Sequence, residues 1–225
     1  MQFFFNMLRL IALYLILSML APTRGQAQPL RFGSGVFAGG TLAQVDGDDM
    51  QGYDKPGIEF GLRGIAFIIP KFEFHTELSY SQRGSQSKGY GKSTNNGRKM
   101  ILDYGCITGL LVVNDWYHPL KEYYRLQVEG GVSMGRLIRS EIQDPIGSGV
   151  RSLNLNEINP YISTNDLSMV LGANIKLTRK SGITFRYHRS MSKILDAEKV
   201  QPFFEKRNII SMKGYFLSLD SFYHF

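Results

Sequence analysis

Apolar and polar side chains alternate along most of this chain. In Phe72-Glu73-Phe74-His75-Thr76-Glu77-Leu78-Ser79-Tyr80 the bulky groups and the charges fall on opposite parities. Successive side chains of a strand point to opposite faces. Phe72, Phe74, Thr76, Leu78 and Tyr80 therefore share one face, and Glu73, His75, Glu77 and Ser79 the other. Gly, Pro, Asp and Asn clusters cut the chain into eight such segments: 32–45, 57–68, 72–80, 98–113, 122–138, 166–178, 183–191 and 207–225. In the second, Ile58, Phe60, Leu62 and Ala66 oppose Glu59, Gly61 and Arg63. In the fourth, Met100, Leu102, Tyr104, Cys106 and Leu110 are read as the apolar face against Asp103, Gly105 and Gly109. In the fifth, Tyr124, Leu126, Val128, Val132 and Met134 oppose Arg125, Gln127, Glu129 and Ser133. In the sixth and seventh, Leu167, Met169, Leu171, Ile175, Ile183, Phe185 and Tyr187 oppose Ser168, Asn174, Lys176, Thr184, Arg186 and His188. The eighth ends with Leu217, Leu219, Tyr223 and Phe225 on its apolar parity.

Two kinds of barrel read this way. A soluble barrel turns the apolar face inward. A barrel in lipid turns it outward, with the polar groups in its lumen. The connections decide between them. Those after the first, third, fifth and seventh segments are long, and those after the second, fourth and sixth are short. Long extracellular loops and short periplasmic turns are the asymmetry of an outer-membrane barrel. The fold class expected is all-β: an eight-stranded antiparallel up-and-down transmembrane β-barrel.

The N-terminus supplies the route. Arg9 precedes the apolar run Leu10–Leu17, and Gly25 and Ala27 are spaced as small residues at a signal-peptidase site. Residues 1–27 are read as a signal peptide and 28–225 as the barrel domain. Beyond the signal no apolar run reaches the roughly 20 residues of a helical span, so a membrane crossing must be made by strands. The formal net charge is +7 and Cys106 is the only cysteine, so no internal disulfide is possible. Export removes nucleic acid as a partner of the basic charge.

The inward parity gathers Glu59, Glu73, Glu77, Asp103, Glu129 and Asp220 against Arg63, Arg125, Lys176 and Arg186, with His75 and His188 between them. Eight strands leave an interior just wide enough for side chains to fill. These groups are expected to pair across the lumen and close it. The segment 83–99 carries Arg83, Lys88, Lys92, Arg98 and Lys99 without an acid. It is read as a loop that meets lipopolysaccharide phosphates or an acidic protein partner. Asp46-x-Asp48-Asp49 with Asp54 lacks the spaced ligands and distal Glu of a calcium loop, and no metal or cofactor is expected. Trp116, Tyr117, Tyr123 and Tyr124 are placed as an interfacial aromatic girdle.

The stretch Phe32-Gly33-Ser34-Gly35-Val36-Phe37-Ala38-Gly39-Gly40-Thr41-Leu42-Ala43-Gln44, followed by Tyr53-Asp54-Lys55-Pro56-Gly57-Ile58-Glu59-Phe60-Gly61, resembles the opening of the PorT-like outer-membrane β-barrel proteins of the Bacteroidota. The likeness extends in strand layout over the mature chain. Its sharp motif is this first hairpin. It implies an eight-stranded barrel in the outer membrane of a Gram-negative bacterium; it does not imply a reaction, and one branch of the family serves protein secretion. The function expected is a non-enzymatic membrane protein with an ion-paired, closed lumen, in contact with outer-membrane lipids and lipopolysaccharide and with protein partners through its extracellular loops. Two alternatives stand beside it. One is a lipid A-modifying enzyme using His188 and Ser190, which share a strand face. The other is a small periplasmic ligand-binding barrel.

Overall fold

A computed structural model describes residues 31–48, 52–87, 97–120, 122–143, 159–200 and 211–225. The expected signal segment, Asp49, Lys88 and Lys92 lie outside the described residues. Eight strands form: β1 (Phe32–Asp46), β2 (Lys55–Ile69), β3 (Phe72–Gln86), β4 (Lys99–His118), β5 (Tyr123–Gln143), β6 (Asn165–Lys176), β7 (Ser181–Ser190) and β8 (Lys213–His224). Each pairs antiparallel with its sequence neighbours, and β8 returns to β1 from Asp46↔Lys213 to Gly35↔His224, closing the barrel. The expected eight-stranded up-and-down barrel is the fold of this chain.

The two ends differ as the spacing of turn residues requires. Connections 70–71, 119–122 and 177–180 close one end. At the other end the strands are joined by the longer stretches 47–54, 87–98, 144–164 and 191–212. Trp116 (φ 51°), near the end of β4, and Glu122 (φ 53°), the last residue of the 119–122 turn, take left-handed positions rare for side-chain-bearing residues. We call the end with short turns periplasmic and the end with the long connections extracellular.

The outer surface is a continuous apolar belt. Phe60, Leu62, Leu78, Ile107, Leu111, Val132, Leu171, Phe185 and Leu219 are all exposed, whereas Glu59, Arg63, Glu77, Glu129, Arg186 and Asp220 are buried inside. A monomeric soluble protein rarely exposes a contiguous apolar patch above a few hundred Å². An inside polar and an outside apolar is the inversion that hydrocarbon imposes. With the loop asymmetry, it makes this a transmembrane barrel of the Gram-negative outer membrane.

β4 departs from the parity read from its sequence. Met100, Leu102, Tyr104, Cys106 and Leu110 point inward, and Ile107, Leu111 and Val113 point to lipid. Both faces of this strand are apolar, so alternation could not orient it. Met100, Leu102, Tyr104 and Cys106 are covered by Val45 and by Ile194, Leu195 and Met212, which flank β7 and β8 at the extracellular mouth, while Leu110 packs with Val112 and Val170. Leu195 and Met212 form a β-bridge there. Leu137, Ile142 and Ile162 complete this apolar cap. The pairing of β4 with β5 jumps from Asp103↔Arg139 to Tyr104↔Leu137. Ile138 is thus an extra, bulged residue, and it turns the end of β5 so that both Leu137 and Ile142 reach the cap.

Candidate functional site: the barrel lumen

The centre of the lumen is a four-residue charge network. Register places Arg63 beside Glu77 across β2 and β3. Arg63 Nε donates to Glu77 Oε1 at 2.7 Å. From the opposite wall, Arg186 Nη1 and Nη2 each donate to Glu77 at 2.8 Å, and Arg186 Nε donates to Glu129. Asn174 Nδ2 takes the second Glu129 oxygen at 2.7 Å, and Thr184 Oγ1 donates to Asn174. Phe37 lies beneath both guanidinium groups, at 5.5 Å from Arg63 and 5.6 Å from Arg186. Arg63 also lies over Phe222 at 5.2 Å. The two arginines and two carboxylates balance, and each is at most 1% exposed along its side chain. Buried ions are tolerated when they are paired and hydrogen-bonded in this way.

A second layer lies toward the periplasm. Glu73 accepts from His75 Nε2 at 2.8 Å, from Asn114 Nδ2 at 2.7 Å and from Gln127 Nε2 at 3.4 Å. Lys176, half-buried, sits at this mouth. His224 Nε2 faces Arg63 Nη1 at 3.3 Å and joins the layers.

Toward the outside, Arg83 Nη1 donates to Asp166 Oδ2 at 2.8 Å. Ser168 and Ser192 hydroxyls donate to the same carboxylate at 2.6 and 3.0 Å. Arg83 stacks over Phe216 at 4.4 Å and Tyr104 at 5.0 Å, and its Nη2 donates to Cys106 Sγ at 3.1 Å. Between this layer and the centre, Glu59 and Asp220 flank Gly39 in register. Glu59 Oε2 and Asp220 Oδ1 have no hydrogen-bond partner among the described residues, and Ser218 donates to Asp220 Oδ2 at 2.8 Å. Gly39 is required there, since a Cβ would stand 2.4 Å from Asp220 Oδ1 and 2.1 Å from the Leu219 carbonyl.

Of the residues read as inward, Glu59, Glu73, His75, Glu77, Glu129, Arg63, Arg186, His188 and Asp220 are buried in the lumen, with Lys176 at its mouth. Two are not. Arg125 is exposed and lies over Trp116 at 5.7 Å. It has inward parity but lies beyond Gln127 and Asn114, the last packed pair, where the chain curls out at Trp116. Asp103 faces outward with the rest of its β4 parity. It accepts from Gln82 Nε2 at 3.0 Å and pairs with Arg139 Nε at 3.4 Å. The segment 83–99 is also divided differently. β3 runs on to Gln86, so Arg83 is a lumen residue 7% exposed, not a loop residue. Lys99 begins β4 and Arg98 precedes it. Strand continuation past Tyr80 was masked by Gly84, whose φ of 132° bends the chain without ending the ladder.

Asp166, Asn114 and Gln127 were missed as site residues. Asp166 stood at an expected strand start, and the signal that finds it is the unmatched Arg83 on the facing wall. His188 and Ser190 share a face but do not meet. Ser190 Oγ lies 3.4 Å from Ser168 Oγ. His188 stacks on Phe216 at 4.0 Å, and neither of its nitrogens has a partner among the described residues. A serine nucleophile requires a base in hydrogen-bond reach, and this pair lacks that contact. The Asp46 carboxylate accepts from the Tyr215 hydroxyl at 3.0 Å. Among the described residues no three His, Cys, Asp or Glu converge as metal ligands.

No protein-family model matches the chain, and no curated protein sequence does. Solved structures similar to it include Ail, the attachment invasion locus protein of Yersinia pestis, at 14% identity and a TM-score of 0.47, covering 87% of this chain and 100% of that one. Neisserial surface protein A is similar at 10% identity and a TM-score of 0.45, covering 85% and 96%. The outer membrane protein OprG of Pseudomonas aeruginosa is similar at 12% identity and a TM-score of 0.36, covering 86% and 96%.

Proposed function

We propose that this protein is a non-enzymatic outer-membrane barrel whose lumen is closed by ion pairs, and that it acts as a structural or partner-binding membrane protein. The observation that carries this reading is the Arg63–Glu77–Arg186–Glu129 network spanning the interior, with the apolar cap above it. An eight-stranded interior has room for side chains and little else. The two arginines and two carboxylates at the centre balance each other, so no row of like charge lines a path for ions through that layer. The missing contact between His188 and Ser190 removes the support for a serine hydrolase in the lumen. Purified protein in planar bilayers is expected to show no stable conductance. Large steady channels would overturn the closed-lumen reading.

The partners are sought at the extracellular connections. The resemblance of 32–44 and 53–61 to PorT-like barrels supports a place in that group and an association with protein secretion, and residues 1–27 act as the export signal in this reading. Capture of the intact barrel from its own outer membrane, followed by mass spectrometry, tests it. Recovery of secretion-machinery subunits supports the association. Recovery of the barrel with lipid alone opposes it.

A further inference from the structure

The lipid-facing surface carries a groove that leads to a polar cluster in which Asp103 is buried and Arg136 and Arg139 are exposed. The groove, about 460 Å³, is bounded by Val36, Phe60, Leu62, Leu78 and Tyr80 across β1–β3. Phe60 and Tyr80 stack at 5.2 Å and form its upper end. Ala38 and Gly40 leave the β1 side low. Above Tyr80 the surface turns polar. Asp103 lies beside the Tyr80 hydroxyl and accepts from Gln82 at 3.0 Å. Arg139 Nε lies 3.4 Å from Asp103, and its Nη2 donates to Glu141 at 2.9 Å. Arg139 stays 57% exposed. Arg136 is exposed on the same outer face and makes no ion pair among the described residues.

Register fixes how these groups stand. Gly105 pairs with Tyr80 on one side and Arg136 on the other. Gly105 has no side chain of its own, and Ile138 leans over it, its Cδ1 3.4 Å from where a Cβ would stand; two strand spacings separate Tyr80 from Arg136, about 10 Å. Depth follows from strand geometry. At about 3.3 Å per residue and a tilt of about 40°, Tyr80 stands roughly 20 Å above Phe72 and Gln82 roughly 25 Å, the height of the apolar band. The groove therefore lies in the outer leaflet and the cluster at its headgroup level.

We propose that this surface binds one outer-leaflet glycolipid, an acylated sugar phosphate. An acyl chain occupies the groove, a sugar ring lies over Tyr80 with Ile138 at its edge, and a phosphate is held by Arg136 and Arg139. Arginine suits that role because its planar fork meets phosphate oxygens bidentately. Asp103 and Glu141 hold Arg139 in place and leave one edge of its guanidinium toward solvent. A phospholipid of the inner leaflet would put its phosphate at the opposite end of the belt. The inference rests on the membrane reading above and adds a ligand to it.

The test uses the mature barrel folded in bicelles containing both lipid A and phosphatidylglycerol. Native mass spectrometry then counts the lipids that stay bound. Wild type is expected to retain one lipid A in preference to phosphatidylglycerol. Arg136→Gln/Arg139→Gln is expected to lose that retention by at least about tenfold, the equivalent of one charge-assisted hydrogen bond. Val36→Trp, which fills the groove and leaves both arginines, is expected to reduce it as well. Equal retention of both lipids by wild type, or retention of lipid A unchanged in both variants, overturns the proposal. Gel mobility of the unboiled protein separates the two readings. A compact band without lipid A selection sinks only the glycolipid site, whereas failure to fold into any bilayer sinks the membrane reading itself.

Discussion

Glu77→Gln is the substitution that most directly tests how the lumen is held. Glu77 accepts one hydrogen bond from Arg63 at 2.7 Å and two from Arg186 at 2.8 Å. Charge-assisted bonds contribute about 1.5–3 kcal/mol each, so the gross interaction is about 4.5–9 kcal/mol. The glutamine keeps one acceptor oxygen and the volume, but its amide donors face guanidinium groups. Glu129 alone must then balance two arginines. Removing one member of a buried pair costs about 3–5 kcal/mol, and that is the loss expected here. It corresponds to roughly two to four powers of ten in the folding equilibrium. Urea titration of the barrel in phosphocholine vesicles measures it, followed by gel mobility and by fluorescence of Trp116, the only tryptophan. Adding Arg63→Gln to Glu77→Gln removes the excess positive charge. The double variant should recover at least about 0.5 kcal/mol relative to additivity, as residues in direct contact do. A loss below about 1 kcal/mol, the scale of an exposed pair, together with strict additivity would refute the view that this network holds the lumen.

Arg125→Ala, by contrast, should cost no more than about 1 kcal/mol, the worth of an exposed cation–π contact, and the same urea titration checks it. Leu171→Arg and Phe74→Arg put a charge in the belt and should each cost about 2–4 kcal/mol, while Asn165→Arg at the extracellular rim should be tolerated; equal yields of folded protein from all three would show the belt is misplaced. Gly39→Ala should prevent folding or weaken it severely, because its methyl would strike the Leu219 carbonyl and Asp220, and the fraction migrating as a folded band reports this. Leu195→Ser should loosen the cap and speed trypsin cleavage at the partly exposed Lys193 beside it, with little change in the barrel's resistance.

The sequence resolved those parts of the barrel where one face is apolar and the other is not. β2, β3 and β5 to β8 keep their expected faces along the membrane-spanning stretch because a one-residue slip would put Glu77 or Arg186 into hydrocarbon. β4 offered no such contrast. Ile107 and Leu111 satisfy lipid as well as Met100 and Leu102 satisfy the cap, so only tertiary packing chose between them. Asp103 was misplaced for the same reason. Arg83 was lost to the Gly- and Ser-rich composition that follows it, and with it the Asp166 layer. Arg125 shows the opposite limit: parity gives the direction of a side chain but not whether the barrel still surrounds it at that height.

The single thiol of this chain has a consequence of its own. Cys106 is 1% exposed, lies under the apolar cap and accepts a hydrogen bond from Arg83. A water-soluble alkylating reagent meets it only when Ile194, Leu195 and Met212 lift away. The labelling rate of the native protein then counts those excursions directly, as hydrogen exchange counts local opening elsewhere. No residue need be added for the measurement. The barrel carries its own clock for how often its outer door stands ajar.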